Sequence, residues 1–176
     1  MAGRTDKLGR ETTAARRREL PPLEERATFL IHRFNAKLSQ ACQPVFATYD
    51  LDLYSSRILV ALTQHEMLSV GALVDLMALP QSTISHQLKR LDRIGYVQRT
   101  RSREDNRSVE VRLTPLGKSV AETCNQLSRE IYLAAVETFS DEEIATLSSL
   151  LKRMYENLPV LSELHPGPVR EDSGGR

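Results

Sequence analysis

Helical spacing of apolar residues runs through most of this chain and stops at Gly95. Beyond that glycine Val97, and then Val109, Val111 and Leu113, alternate with Gln98, Arg99, Glu110 and Arg112, the period-two pattern of strands. A charged stretch from Ser102 to Ser108 separates the two segments, which predicts a β-hairpin with a long charged tip. Helical spacing resumes after Thr114-Pro115. The expected fold is therefore mainly α, with a small β-hairpin wing set between helices.

Six helices are expected around that hairpin. Residues 1–20 lack apolar periodicity and read as a disordered basic arm closed by Pro21-Pro22. Leu23, Ala27, Leu30, Ile31, Phe34, Leu38, Ala41, Cys42 and Val45 then track a 3.6-residue repeat, predicting a long helix over about 21–47 that Pro44 kinks or ends. Phe29 and Ala36 give it a second, weaker apolar side, as in helices that pack against a partner chain. Tyr54 to His65 is a second helix, and Ser69 caps a third through Met77. Pro80 is expected at the first position of a fourth, whose Ile84, Leu88, Leu91 and Ile94 share a side and whose Gly95 supplies a left-handed cap. Thr114 caps a fifth helix opened by Pro115, burying Val120, Cys124, Leu127, Ile131 and Ala135. Ser140 and Glu143 form a capping-box pattern for a sixth, through Ile144, Leu147, Leu151, Met154 and Leu158, which Pro159 stops. Residues 159–176 read as a disordered tail, leaving one domain over 21–158 in a chain of 176 residues.

The net charge of +1 excludes a uniformly polybasic nucleic-acid coat, but the charge is unevenly placed. Six basic residues face two acidic ones between Met1 and Arg18, and eight face four between Gln81 and Arg112. Such concentration points to a surface that meets a polyanion. Aromatic residues make up 5% of the chain and tryptophan is absent, against a stacking platform for single strands or sugars. Cys42 and Cys124 form no zinc-ligand spacing, and no paired carboxylates or nucleophile–base set supports an enzyme or a cofactor. No apolar run approaches the roughly 18 residues of a membrane span, and the first residues lack the apolar core of a signal peptide. The expected location is the cytoplasm, with no membrane partner.

Two short helices joined by a tight turn and followed by a hairpin give the order of a winged helix-turn-helix, here over about 54–113. The helix after Pro80 exposes Gln81, Ser82, Thr83, Ser85 and His86 in its first turns, short or planar groups suited to base edges in a major groove. Lys89 and Arg90, further along, suit backbone phosphates, as does Arg93. Arg101, Arg103 and Arg107 surround the hairpin tip, where arginine can enter a narrow minor groove.

Ser82-Thr83-Ile84-Ser85-His86-Gln87-Leu88-Lys89-Arg90-Leu91-Asp92-Arg93-Ile94-Gly95-Tyr96-Val97, followed by Asp105-Asn106-Arg107 and Leu113-Thr114-Pro115-Leu116-Gly117, resembles the MarR family of bacterial transcription regulators. The family's wing signature, Asp-x-Arg and then Leu-Thr-x-x-Gly, is present in both halves. The resemblance implies a homodimer whose N- and C-terminal helices, about 21–47 and 115–158, interlock. It implies a double-stranded, pseudo-palindromic operator, Arg107 as the minor-groove arginine, and Asp105 bracing the wing through a neighbouring arginine. It also implies a small-molecule effector, often an aromatic or phenolic carboxylic acid, for which His32, Arg33, Tyr49, Tyr54 and Arg57 are the candidate polar contacts. Two rival readings stand beside this one. In the first, Cys42 or Cys124 senses oxidants, although their late and apolar positions suit small buried hydrophobes. In the second, the winged helix binds protein and no longer reads DNA, against which the arginine-rich tip counts.

Overall fold

The computed structural model describes residues 19–102 and 108–158. Arg103, Asp105 and Arg107 lie outside the described residues, as do the arm before residue 19 and the tail after residue 158. The described chain forms α1 (Ala27–Ala47), α2 (Leu53–Thr63), β1 (Leu68–Ser69), α3 (Val70–Met77), α4 (Gln81–Arg93), β2 (Val97–Arg101), β3 (Val109–Leu113), α5 (Pro115–Ala135) and α6 (Asp141–Asn157). Two compact units divide it, one ending at Asn125 and one beginning at Gln126.

The first unit holds the winged helix. Ile58 and Leu59 of α2, Leu73 of α3, and Ile84, Leu88 and Leu91 of α4 are fully buried, and Val111 closes the core from the sheet. The hairpin pairs Val97 with Leu113 and Arg101 with Val109, as the alternation predicts. A third strand, the two-residue β1, pairs Leu68 with Val111 and sets the sheet order β1-β3-β2. Ser69 caps α3, its Oγ accepting from the Ala72 amide at 3.0 Å.

Prolines behave differently from expectation at three places. After Pro21-Pro22 the chain makes only a 3-10 turn, Leu23–Glu25, and Arg26 is extended before α1 begins at Ala27. The Arg26 side chain holds that break, donating from Nε to the Pro21 carbonyl at 2.9 Å. Pro44 neither ends nor replaces the last turn of α1, which continues to Ala47. Its missing N–H removes one hydrogen bond, and burial of Cys42 and Phe46 on either side keeps the turn in place. Pro80 is the cap of α4 and not its first residue, because its ψ of 142° is extended. The turn before it depends on Ala78, held in the left-handed region at φ 49°.

The joint between recognition helix, wing and α5 explains the Leu-Thr-x-x-Gly spacing. Gly95 turns the chain at φ 80°, and the Tyr96 amide returns to the Leu91 carbonyl at 2.9 Å, a helix-ending bond of Schellman type. Thr114 Oγ1 donates to the Gly95 carbonyl at 2.6 Å and accepts from the Gly117 amide at 2.9 Å, so one hydroxyl both caps α5 and ties it to the end of α4. Gly117 then sits flush against the Tyr96 backbone, where a Cβ would overlap the carbonyl oxygen. The Tyr96 hydroxyl donates to the Tyr49 carbonyl at 3.2 Å and fastens the turn after α1 to the same joint.

In the second unit Ser140 and Glu143 form the expected capping box on α6. The apolar residues of α6 and of the last turns of α5 are not buried within the chain, contrary to the expectation for α5. Ala135 is exposed, Leu127 and Ile131 are half-buried, and Leu147, Leu150, Leu151 and Tyr155 are exposed. Leu30, Ile31 and Phe34 of α1 are likewise exposed.

Replacing Gly117 with Ala is expected to cost about 3 kcal/mol or more, because backbone and not a flexible side chain must move. Gly71→Ala in α3, where a Cβ meets only Ser69 Oγ at 3.8 Å, should gain up to about 1 kcal/mol through helix propensity. Thermal unfolding of the two variants checks both, and equal effects would remove the close approach at Gly117 from the explanation.

Candidate nucleic-acid interface

α4 has two sharply different sides. Ile84, Gln87, Leu88 and Leu91 are buried, while Ser82, His86, Lys89 and Arg93 recur at three- and four-residue spacing on the exposed side. Gln81 is exposed beside them, and Thr83 and Ser85 are half-buried at its margin. His86, Lys89, Arg90 and Arg93 line a shallow groove of about 230 Å³. Arg101 is exposed at the end of β2, where the strand runs into the wing. Gln81, Ser82, His86 and Lys89 thus share one surface, with basic groups toward the C-terminal half of the helix.

A carboxylate at the start of the neighbouring helix is bonded to α4. Asp52 caps α2: Oδ1 accepts from the Ser55 amide at 2.7 Å and from Ser55 Oγ at 2.8 Å, and the Asp52 amide donates back to Ser55 Oγ at 2.9 Å. Its other oxygen, Oδ2, accepts from Gln87 Nε2 at 3.0 Å. Arg90 completes the cluster, donating from Nη2 to Ser55 Oγ at 3.1 Å with Nη1 3.8 Å from Asp52 Oδ2. Desolvation pushes the Asp52 pKa upward, but the hydrogen bonds from Ser55 and Gln87 and the Arg90 charge outweigh it, and the net shift is downward.

Sequence reasoning missed this cluster. It placed the start of α2 at Tyr54 and read Arg90 as an outward cation. An aspartate just before an apolar helix is an available signal for a cap, but Ser55 stands where the usual box has Glu or Gln. Gln87 and Arg90 lie 35 residues from their partners, beyond any local pattern. Arg99, two residues on, shares the strand side of Val97, and its Nε is buried with no hydrogen-bond partner among the described residues.

The five effector candidates fall into separate places. His32 and Arg33 are exposed on α1, where His32 stacks on Phe29 with ring centroids 6.2 Å apart. Tyr49 follows the far end of the same helix, and the fifteen helical steps from His32 to Ala47 span about 22 Å. Tyr54 and Arg57 are exposed one turn apart on α2. Cys42 and Cys124 are both 3% exposed. Burial raises the Cys42 thiol, an effect Arg57 partly offsets, and burial pushes Cys124 up to about 11, so both stay protonated near neutrality. Among the described residues no helix is long and apolar enough to cross a membrane.

A sequence model of the MarR family matches residues 54–109, from α2 to the start of β3. The organic hydroperoxide resistance transcriptional regulator of Bacillus subtilis is 27% identical over 136 residues, covering 77% of this chain and 91% of its own length. A mutant MarR of E. coli, solved in complex with operator DNA, superposes with a TM-score of 0.65 at 23% identity, over 77% of this chain and 99% of that one. BpsR of Bordetella bronchiseptica, whose DNA binding is regulated by 6-hydroxynicotinic acid, superposes with a TM-score of 0.68 at 21% identity, over 78% of this chain and 98% of that one. The winged-helix fold expected from the sequence is borne out.

Two carboxylates with lowered pKa, Asp52 in the first unit and the exposed Glu143 held by the Ser140 amide in the second, set an acid limit on stability. Their contribution is complete above the unfolded carboxylate range and is lost as pH falls below about 4, through the lower folded values. Asp52→Asn keeps an oxygen for the cap but drops the charge, and should cost about 1 kcal/mol at neutral pH while flattening the acid limb. Urea melts from neutral pH down to acid pH check this. An acid limb of unchanged steepness would show that Asp52 is not held as described.

Proposed function

We propose that the chain is a transcription regulator of the MarR type, on the likeness of its winged-helix segment, and that it binds duplex DNA sequence-specifically as a homodimer. It represses from a pseudo-palindromic operator and releases it when a small aromatic or phenolic acid binds. The observation that carries the reading is the exposed side of α4, which presents Ser82, His86 and Lys89 together while its opposite side is locked into the core. Gln81, Thr83 and Ser85 join the base-reading set in this account, and Arg101, Arg103 and Arg107 contact the flanking backbone and minor groove, with Asp105 bracing the wing.

Support for the dimer comes from the exposed apolar residues of α1 and α6. Leu30, Ile31 and Phe34, with Leu147, Leu150, Leu151 and Tyr155, are more apolar surface than a monomer commonly leaves in water. Interlocking terminal helices would cover them and place two copies of α4 about one DNA turn, roughly 10 base pairs, apart. An acidic effector is favoured by the likeness to BpsR, and by the burial of both thiols, which disfavours an oxidant trigger. His32 and Arg33 from one protomer can meet Tyr49, Tyr54 and Arg57 of the other only if the dimer brings them together, since one chain alone does not. Whatever the effector, it must bind the free and DNA-bound forms with different affinity to act at all.

Fluorescence anisotropy with the DNA upstream of the protein's own gene tests the reading. The expected result is tight, competitor-resistant binding that a hydroxylated aromatic acid weakens and that peroxide leaves unchanged. Release by peroxide, reversed by thiol, would transfer the trigger to Cys42 or Cys124. No duplex binding at any salt concentration would instead favour a protein-binding winged helix.

A further inference from the structure

The cations of α4 are not equivalent. Lys89 and Arg93 are exposed, whereas Arg90 is drawn back toward α2, with Nη2 on Ser55 Oγ at 3.1 Å and Nη1 3.8 Å from Asp52 Oδ2. Its Nε is buried without a hydrogen-bond partner among the described residues, and only 28% of its side chain is exposed. Gln87, 8% exposed, leans on the same carboxylate from the adjacent turn, so two residues three apart on α4 grip one group on α2.

We infer that Arg90 is a positioning residue and not a phosphate ligand: Asp52 keeps its guanidinium from the DNA and uses it, with Gln87, to fix the rotation of α4 about its own axis. The inference rests on the DNA-reading function proposed above and adds a specificity device to it. Geometry shows why rotation matters. A side-chain tip stands about 6 Å from a helix axis, so a turn of about 10° moves it by about 1 Å, enough to spoil a contact to a base edge. A helix held only by apolar contacts can roll by that much, whereas directional hydrogen bonds, from Gln87 to Asp52 and from Arg90 to Ser55 Oγ, resist it. Arg90 sits at the edge of the groove that His86, Lys89 and Arg93 line, but its Nη2 is bonded to Ser55 Oγ and its Nη1 is turned toward Asp52, which commits the guanidinium to α2. The phosphate-facing charge of the helix then resides on Lys89 and Arg93.

The salt dependence of DNA binding by the full chain separates these roles, using a mixed-sequence duplex long enough for two half-sites. Each phosphate contact contributes about 0.9 to the slope of log affinity against log salt, per protomer. Lys89→Gln should lower the slope by about that amount for each protomer bound. Arg90→Gln should leave the slope unchanged, while reducing the preference for a selected operator over the mixed duplex by about tenfold or more. Asp52→Asn should raise the slope, because Arg90 is released to the backbone, and should reduce the same preference. Equal slope losses for Arg90→Gln and Lys89→Gln overturn the inference, as does an Asp52→Asn chain that keeps both slope and preference. Circular dichroism melts show which variants are folded. If Asp52→Asn does not fold, the comparison of Arg90→Gln with Lys89→Gln decides alone. A wild-type chain without salt-dependent duplex binding overturns the proposed function itself, and that outcome is visible before any variant is made.

Discussion

One carboxylate, that of Asp52, joins the local structure of this protein to its tertiary structure. Each of its oxygens serves a different element: Oδ1 caps the start of α2, and Oδ2 receives the side chain of Gln87 from α4. A cap by itself stabilises a helix by about 1 kcal/mol. Loss of this one would also strand the buried amide of Gln87 and remove the charge that faces the half-buried Arg90, and among the described residues Gln87 Oε1 and Arg90 Nε have no hydrogen-bond partner. These side chains form one polar network that joins α4 to the start of α2.

The far end of α4 is set by a different kind of constraint. Gly95, Tyr96, Thr114 and Gly117 form a backbone joint in which a hydroxyl and a missing Cβ allow the end of α4, the base of the hairpin and the start of α5 to meet. Polar bonds thus hold the helix at Gln87 and Arg90, and close backbone packing holds its C-terminal end at Gly95. Beside these fixtures the buried row of Ile84, Leu88 and Leu91 supplies burial energy and little of the direction.

Much of this was legible in the sequence where the signal is local. Ser69, Thr114, Gly95 and the Ser140–Glu143 pair act as read, and the hairpin register follows its alternation. The strand Leu68–Ser69 is too short to have a period, and it exists because β3 offers it an edge. Pro44 reads as a helix breaker, yet burial of Phe46 two residues later outweighs the single lost hydrogen bond. Asp52, Gln87 and Arg90 were opaque, because their bonds span 35 residues and a polar residue on a buried side looks like an irregularity in the pattern. The amphipathic pattern of α1 and α6 gave an apolar side correctly. It could not tell whether this chain or another covers that side.

Amide hydrogen exchange of the full chain, with and without an operator duplex, tests the central claim most directly. The account predicts that DNA slows exchange in the first turns of α4 and in the wing, and leaves α1 and α6 as they are in the free protein. Protection confined to α1 or α6, with α4 unaffected, would contradict it and move the binding surface to the terminal helices.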